Sequence, residues 1–220
     1  VSNAAGNPGT PRTLEHLVDA VTQVASGRHR TVVGIAGSPG AGKSTVAGRL
    51  SSALGPTAVL LPMDGFHLAN RQLARLGRSD RKGAPDTFDA AGFTALLARI
   101  RTSATDGPEP ATVYAPEFDR RIEESIAGAI AIPPEARVVI VEGNYLLLDS
   151  HGWGRVAGML DLTFFVSVDP ALRMRRLVAR HEAHGRTHAE AVAWAGGTDE
   201  RNAVLIEATR PRAQFVVILD

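Results

Sequence analysis

Short apolar runs alternate with amphipathic stretches along this chain. "TVVGIAG" (31–37), "AVLLPMD" (58–64), "ARVVIVEGNYLLL" (136–148), "DLTFFVSVD" (161–169) and "QFVVILD" (214–220) each read as a strand buried on both faces. Between them the period changes to that of helices. Leu14, Leu17, Val18, Val21 and Val24 share one face of a first helix, opened by Thr10 and Pro11. Further helices are expected over 43–54, 68–76, 89–101 with Asp89 as cap, 170–183 and 187–207. "ATVYAPEFDR" and "ESIAGAIAI" predict a small hairpin, "DRKGAPDTFD" (80–89) a loop, and "TSATDGPEP" (102–110) a linker. Strands alternating with helices predict an α/β chain with a mostly parallel central sheet and flanking helices. No repeat or second-domain boundary interrupts the pattern, so residues 1–10 are expected to be a disordered lead and 11–220 a single domain.

Composition narrows the partners. The chain has 220 residues and a formal net charge of +1, so it lacks the concentrated basic character that a nucleic-acid or acidic-membrane partner calls for. No apolar run approaches a membrane span, and "VSNAAGNPGTPR" has no basic region followed by an apolar stretch. There are no cysteines, which excludes disulfides, thiol catalysis and thiolate metal sites and points to the cytoplasm. Of 24 basic residues only Lys43 and Lys82 are lysine.

Lys43 stands in "GSPGAGKST" (37–45), which fits G-x-x-x-x-G-K-[ST] between a strand and a helix. Gly37, Ser38, Pro39, Gly40, Ala41 and Gly42 let the backbone curl so that its N–H groups face one anion. Lys43, Ser44 and Thr45 then open a helix whose positive end faces that anion too. The motif predicts a nucleotide's phosphates in the loop, with Lys43 between the β- and γ-phosphates and the Ser44 hydroxyl on Mg2+. Two acids belong at the same edge of the sheet, because loops leaving parallel strands emerge there. Asp64 ends the strand at 58–63 and Glu142 the strand at 138–141. One can hold the ion, and the other can orient and deprotonate an acceptor hydroxyl.

With these pieces in order, the chain resembles the phosphoribulokinase/uridine kinase family, which includes bacterial-type pantothenate kinases. "GIAGSPGAGKST", "MDGFH", "KGAPDTFD" and "VIVEGNYLLL" occur in the family's order, and the resemblance spans roughly residues 31–219. It implies a three-layer P-loop NTPase fold and a kinase that uses ATP and Mg2+, with Asp64 as the catalytic carboxylate and Ser44 and Glu142 at the metal. It also implies that "RMRRLVARHEAHGR" (173–186) belongs to a mobile lid at about 173–190, where Arg180, or after it Arg176, meets the transferred phosphate. Asn202 and Arg210, in "TDERNAVLIEATRP", would lie near the nucleotide, as in fructose-transport-associated and pantothenate-kinase-like members. A homodimer is the family-based expectation.

The acceptor side departs from that pattern. Pantothenate and uridine kinases carry a His or an Asp-Phe closely after a Tyr, whereas Tyr114 in "VYAPEFDRR" is followed by no histidine. Tyr114, Phe118, Asp119 and Arg120 are candidates to line the acceptor pocket, although Tyr114 and Phe118 could equally pack the hairpin. His67 and Lys82 either contact the acceptor or only support their loops. His181, His184 and His188 suggest a metal cluster, but Gly185 breaks the helix between them and a solvated lid accounts for them better. The expected activity is transfer of a γ-phosphate to a hydroxyl of a small metabolite: a sugar, a nucleoside or a pantothenate-like molecule. A nucleoside monophosphate kinase and a non-enzymatic nucleotide switch are the alternatives, the latter without an Asn-Lys-x-Asp signature.

Overall fold

A computed structural model describes residues 13–103 and 111–219. The expected lead at 1–10, the Thr10–Pro11 helix start and most of the 102–110 linker lie outside them. Helix α1 (Leu14–Ala25) is instead capped by Thr13, whose hydroxyl accepts from the His16 N–H. Strand β1 (Thr31–Gly37) is buried throughout and runs through the glycine-rich loop into α2 (Lys43–Leu54). Then follow β2 (Ala58–Pro62), α3 (Asn70–Arg75) and α4 (Ala90–Thr102), the last capped by Asp89 through the Gly92 N–H. Strands β3 (Val113–Asp119) and β4 (Glu124–Ile132) pair antiparallel as the expected hairpin. The chain continues through β5 (Val138–Glu142), β6 (Leu162–Val168), α5 (Pro170–Ala183), α6 (His188–Trp194), α7 (Glu200–Glu207) and β7 (Phe215–Leu219).

The five long apolar runs form one parallel sheet in the order β2-β5-β1-β6-β7. Side chains alternate between its faces. Val33, Ile35, Ile140 and Phe164 pack with Leu17 and Val21 of α1 and Leu50 of α2. Val32, Val139, Val141 and Phe165 pack on the other side with Phe93 and Leu97 of α4, Tyr145 and Trp153. Three layers result, each face of the sheet excluding water.

Two expectations need correction. The stretch 187–207 is not one helix: α6 and α7 are separated by a π-helical turn over Ala195–Asp199. Gly196 and Gly197 hold the α-helical repeat poorly, and the extra residue turns Thr198 and Asp199 inward, where both are buried. Strand β2 ends at Pro62, so Asp64 lies beyond it in a 3-10 turn, Met63–Phe66. The register sets Pro62 and Ile35 level with Glu142, which brings the turn, the exit of β5 and the glycine-rich loop to one edge.

Candidate active site

The glycine-rich loop needs its glycines for conformation. Gly42, the residue before α2, has φ +94°, and Gly40 has φ +79°, both in the left-handed region. A Cβ on Gly40 would also stand 2.8 Å from Leu177 Cγ, so the loop lies directly under α5. Ser38 anchors the loop from outside by donating to Glu207 Oε1 at 2.8 Å. Lys43 is buried, and its Nζ donates to the Ser38 carbonyl at 3.0 Å. Burial lowers its pKa to about 8, against the nearby carboxylates of Glu142 and Asp64, which favour the charged form.

The two acids stand where the parallel topology puts them. Ser44 Oγ donates to Glu142 Oε1 at 3.1 Å. Burial pushes the Glu142 carboxyl up, and the Lys43 ammonium opposes that shift. Asp64 forms an ion pair with Arg120, Oδ2 to Nη2 at 2.9 Å. Lys43, Ser44, Asp64, Glu142, Arg120 and Arg180 all line one cavity of about 710 Å³ at the carboxyl edge of the sheet. Arg180 comes from α5, burial lowers its pKa, and its guanidinium has no hydrogen bond to the protein among the described residues.

The remaining candidates divide. His67 lies between Phe88 and Phe118, with ring centroids 3.9 and 4.7 Å away. Its Nδ1 meets the Asp64 carbonyl at 2.8 Å, and since a carbonyl only accepts, this contact requires the Nδ1–H form. His67 therefore braces the turn that carries Asp64, and burial pushes its imidazole down toward the neutral state. Lys82 lines the cavity but is tied to Asn70 Oδ1 (2.8 Å), the Glu123 carbonyl (2.7 Å) and Glu123 Oε2 (3.3 Å). Phe118 forms part of the floor, with Lys82 and Arg120 over its ring at 5.0 and 5.8 Å. Asn202 lines the far wall and donates to the Gly83 carbonyl at 3.3 Å.

Tyr114 does not reach the cavity. It is 59% exposed, because Val113 and Ala115 take the inward positions of β3 and strand alternation turns Tyr114 outward. Asp119 turns to Arg121 instead, at 2.7 Å. Arg210 also falls away from the site. It stands in the turn that enters β7, at the amino edge of a parallel sheet, whereas the glycine-rich loop leaves the carboxyl edge of β1. The three histidines have separate partners: His181 meets Asp199 Oδ2 (2.6 Å), His184 the Arg180 carbonyl (2.6 Å) and His188 Glu182 Oε1 (2.7 Å). No metal-holding cluster of His and acidic side chains occurs among the described residues.

Sequence reading missed part of the wall. Asp199, Arg186 and Trp194 line the cavity, with the Arg186 guanidinium 4.1 Å from the Trp194 ring centre. The one local signal was Gly196-Gly197, which breaks the helical repeat just before Asp199.

The family model for the Phosphoribulokinase / Uridine kinase family matches residues 32–195. A Schizosaccharomyces pombe protein provisionally described as a uridine kinase is 31% identical over 206 residues, covering 89% of this chain and 86% of its own. A pantothenate kinase of Enterococcus faecalis is 31% identical over 147 residues, 64% of this chain and 46% of that one. Among solved structures, a Silicibacter sp. TM1040 protein provisionally described as a fructose transport system kinase superposes with TM-score 0.83 at 41% identity. The match covers 93% of this chain and 98% of that one.

Proposed function

Since this chain belongs to the phosphoribulokinase/uridine kinase family and is a P-loop kinase, we propose that it transfers the γ-phosphate of ATP to a hydroxyl of a small metabolite. The observation that carries this reading is the placement of Asp64. It shares the cavity of Lys43 and Ser44 but comes from the turn after a different strand, so a donor and an acceptor can meet between them. The glycine-rich loop cradles the phosphates through its N–H groups. Lys43 turns from the Ser38 carbonyl to the β- and γ-phosphates, and Arg180, whose guanidinium has no hydrogen bond to give up among the described residues, neutralises charge on the transferred group. Asp64 orients the acceptor hydroxyl and takes its proton.

The residues also fit Mg2+. Glu142 and Ser44 offer a set of hard oxygen donors, and a carboxylate buried as Glu142 is gains from a cation beside it. When bound there, the ion would neutralise charge on the phosphate oxygens.

The reading is tested by following ATP consumption with sugars, nucleosides, pantothenate and nucleoside monophosphates as acceptors. Asp64→Asn should still bind ATP and lose transfer by at least ~100-fold, the scale of general-base catalysis. Lys43→Ala should lose ATP binding. Near-normal transfer in Asp64→Asn would remove Asp64 as the base. Transfer to monophosphates alone, giving a phosphoanhydride, would replace the hydroxyl acceptor with a phosphate.

A further inference from the structure

The cations that line the cavity are not equivalent. Lys43 opens the helix after the phosphate loop, Arg180 lies within the field of Asp199, Asp64 and Glu142, and Arg186 stacks on the Trp194 ring. Lys82 has three acceptors for its three N–H groups, and Arg121 is turned out to Asp119 with a side chain 89% exposed. Arg120 differs from all of these. It lies over the Phe118 ring on the acceptor side and its Nη2 reaches Asp64 Oδ2, while its Nε and Nη1 have no protein acceptor among the described residues. The fold thus ties the proposed base to a guanidinium that still has donors to give, and the pair is formed across 56 residues of sequence.

Transfer requires Asp64 to meet a hydroxyl. Asp64 Oδ1 has no donor among the described residues, but Oδ2 is held by Arg120, and a neutral acceptor gives the guanidinium nothing in exchange for that oxygen. An acceptor with its own anionic group does, because a planar guanidinium matches carboxylate and phosphate oxygens equally well. We propose that Arg120 selects acceptors that carry a carboxylate or phosphate besides the reacting hydroxyl, and that this group takes over the guanidinium and frees Asp64. The inference rests on the kinase reading above. In the step that follows, the hydroxyl proton passes to the Asp64 carboxylate, the acceptor oxygen bonds to the γ-phosphorus, and the bond from that phosphorus to the β–γ bridging oxygen breaks, releasing ADP. The two side chains start 2.9 Å apart, so the acceptor's hydroxyl and its anion are bound at neighbouring points. A compact hydroxy acid or a sugar phosphate suits that spacing. Water brings no anion, so hydrolysis of ATP without acceptor is disfavoured by the same pair.

The test uses matched acceptors that differ in one charge: glycerate against glycerol, gluconate against sorbitol, pantothenate against pantothenyl alcohol, and ribose 5-phosphate against ribose. For the pair that contains a substrate, the anionic member should be preferred in kcat/KM by ~10-fold or more, the worth of one charged hydrogen bond. Arg120→Gln should bring the ratio near one, mainly by raising KM for the anionic member, and Arg120→Lys should restore part of it. The same Arg120→Gln substitution should raise acceptor-free ATP hydrolysis, and adding Asp64→Asn should abolish the rise. Arg120 has a half-exposed side chain, so thermal melts of the variants should match the wild type. Preference among carboxylate pairs or in the phosphate pair tells which anion is read. Equal use of neutral and anionic partners by the wild type, or an unchanged ratio in Arg120→Gln, overturns the inference and leaves the kinase reading intact. Transfer only to a neutral acceptor outside these pairs, such as a nucleoside, also overturns the inference and leaves the kinase reading intact.

Discussion

At the scale of single residues, Lys43 shows function imposed on stability. Its pKa of about 8 lies below the ordinary lysine value of 10.5 because the ammonium is buried. The unfolded chain therefore binds more protons than the folded one between those values, and the contribution of Lys43 to stability rises with pH across that window. Below about pH 8 the buried charge is a full cost to the folded state. Two outcomes are expected. Lys43→Met should melt ~2 °C or more above the wild type at pH 7, measured without nucleotide, and should bind no ATP. Nucleotide affinity of the wild type should weaken as pH rises above about 8, approaching ~10-fold per unit, because the protonated form is the one that holds phosphate. Titration calorimetry from pH 7 to 9.5 reads this directly, and a flat profile would mean that the lysine stays charged throughout.

At the scale of elements, the acceptor side depends on how the hairpin β3–β4 seats on the Met63–Phe66 turn. Gly65 makes the contact: a Cβ there would stand 2.2 Å from the Pro116 carbonyl oxygen and 2.7 Å from its carbon. Both atoms are backbone and neither can swing aside. Gly65→Ala should cost ~2 kcal/mol in denaturant melts, typical of overpacking, and should lower transfer more than ATP binding, because it pushes apart the elements that carry Asp64 and Arg120. Equal losses of the two would mean that the hairpin does not position the acceptor. This dependence also explains what the sequence could disclose. The five strands, the phosphate loop and the acids after β2 and at the end of β5 were legible, because each is written in a few contiguous residues, although β2 and β7, at the edges of the sheet, are only partly buried. The parallel register then carries Asp64 and Glu142 to the same edge without further information. The Asp64–Arg120 pair was not legible, since it depends on the packing of a hairpin on a turn 56 residues earlier. The outward turn of Tyr114 depends on which face of β3 meets that turn, and the π-helical turn before α7 on the burial of Thr198 and Asp199.

At the scale of the whole molecule, the cavity has one fixed and one less firmly packed wall. The fixed wall is the carboxyl edge of the sheet, where β1, β2 and β5 end among buried side chains. The opposite wall is the run from α5 through α6 to the π-helical turn, which presents Arg180, Arg186, Trp194 and Asp199. Its own contacts are mostly polar: the His181–Asp199 pair, the Arg173–Glu200 ion pair and the Arg186–Trp194 stack. Leu177, Ala191 and Ala195 are its fully buried apolar residues, while Val192 of α6 is 45% exposed, so its apolar core is small beside that of the sheet. A nucleotide on the phosphate loop reaches both walls, through Lys43 on one and Arg180 on the other, and should tie them together. At ATP concentrations ~100 times Kd the gain is ~2.7 kcal/mol, which for a chain of this size raises the melting temperature by ~5–10 °C. Asp64→Asn should keep that shift and Lys43→Ala should lose it. Arg180→Ala should keep only part of it and should also lose the protection from hydrogen exchange that ATP gives over residues 173–199 in the wild type. If ATP protects only the loop at 37–45 and leaves 173–199 exchanging as before, the second wall does not take part in nucleotide binding, and Arg180 has no place at the transferred phosphate.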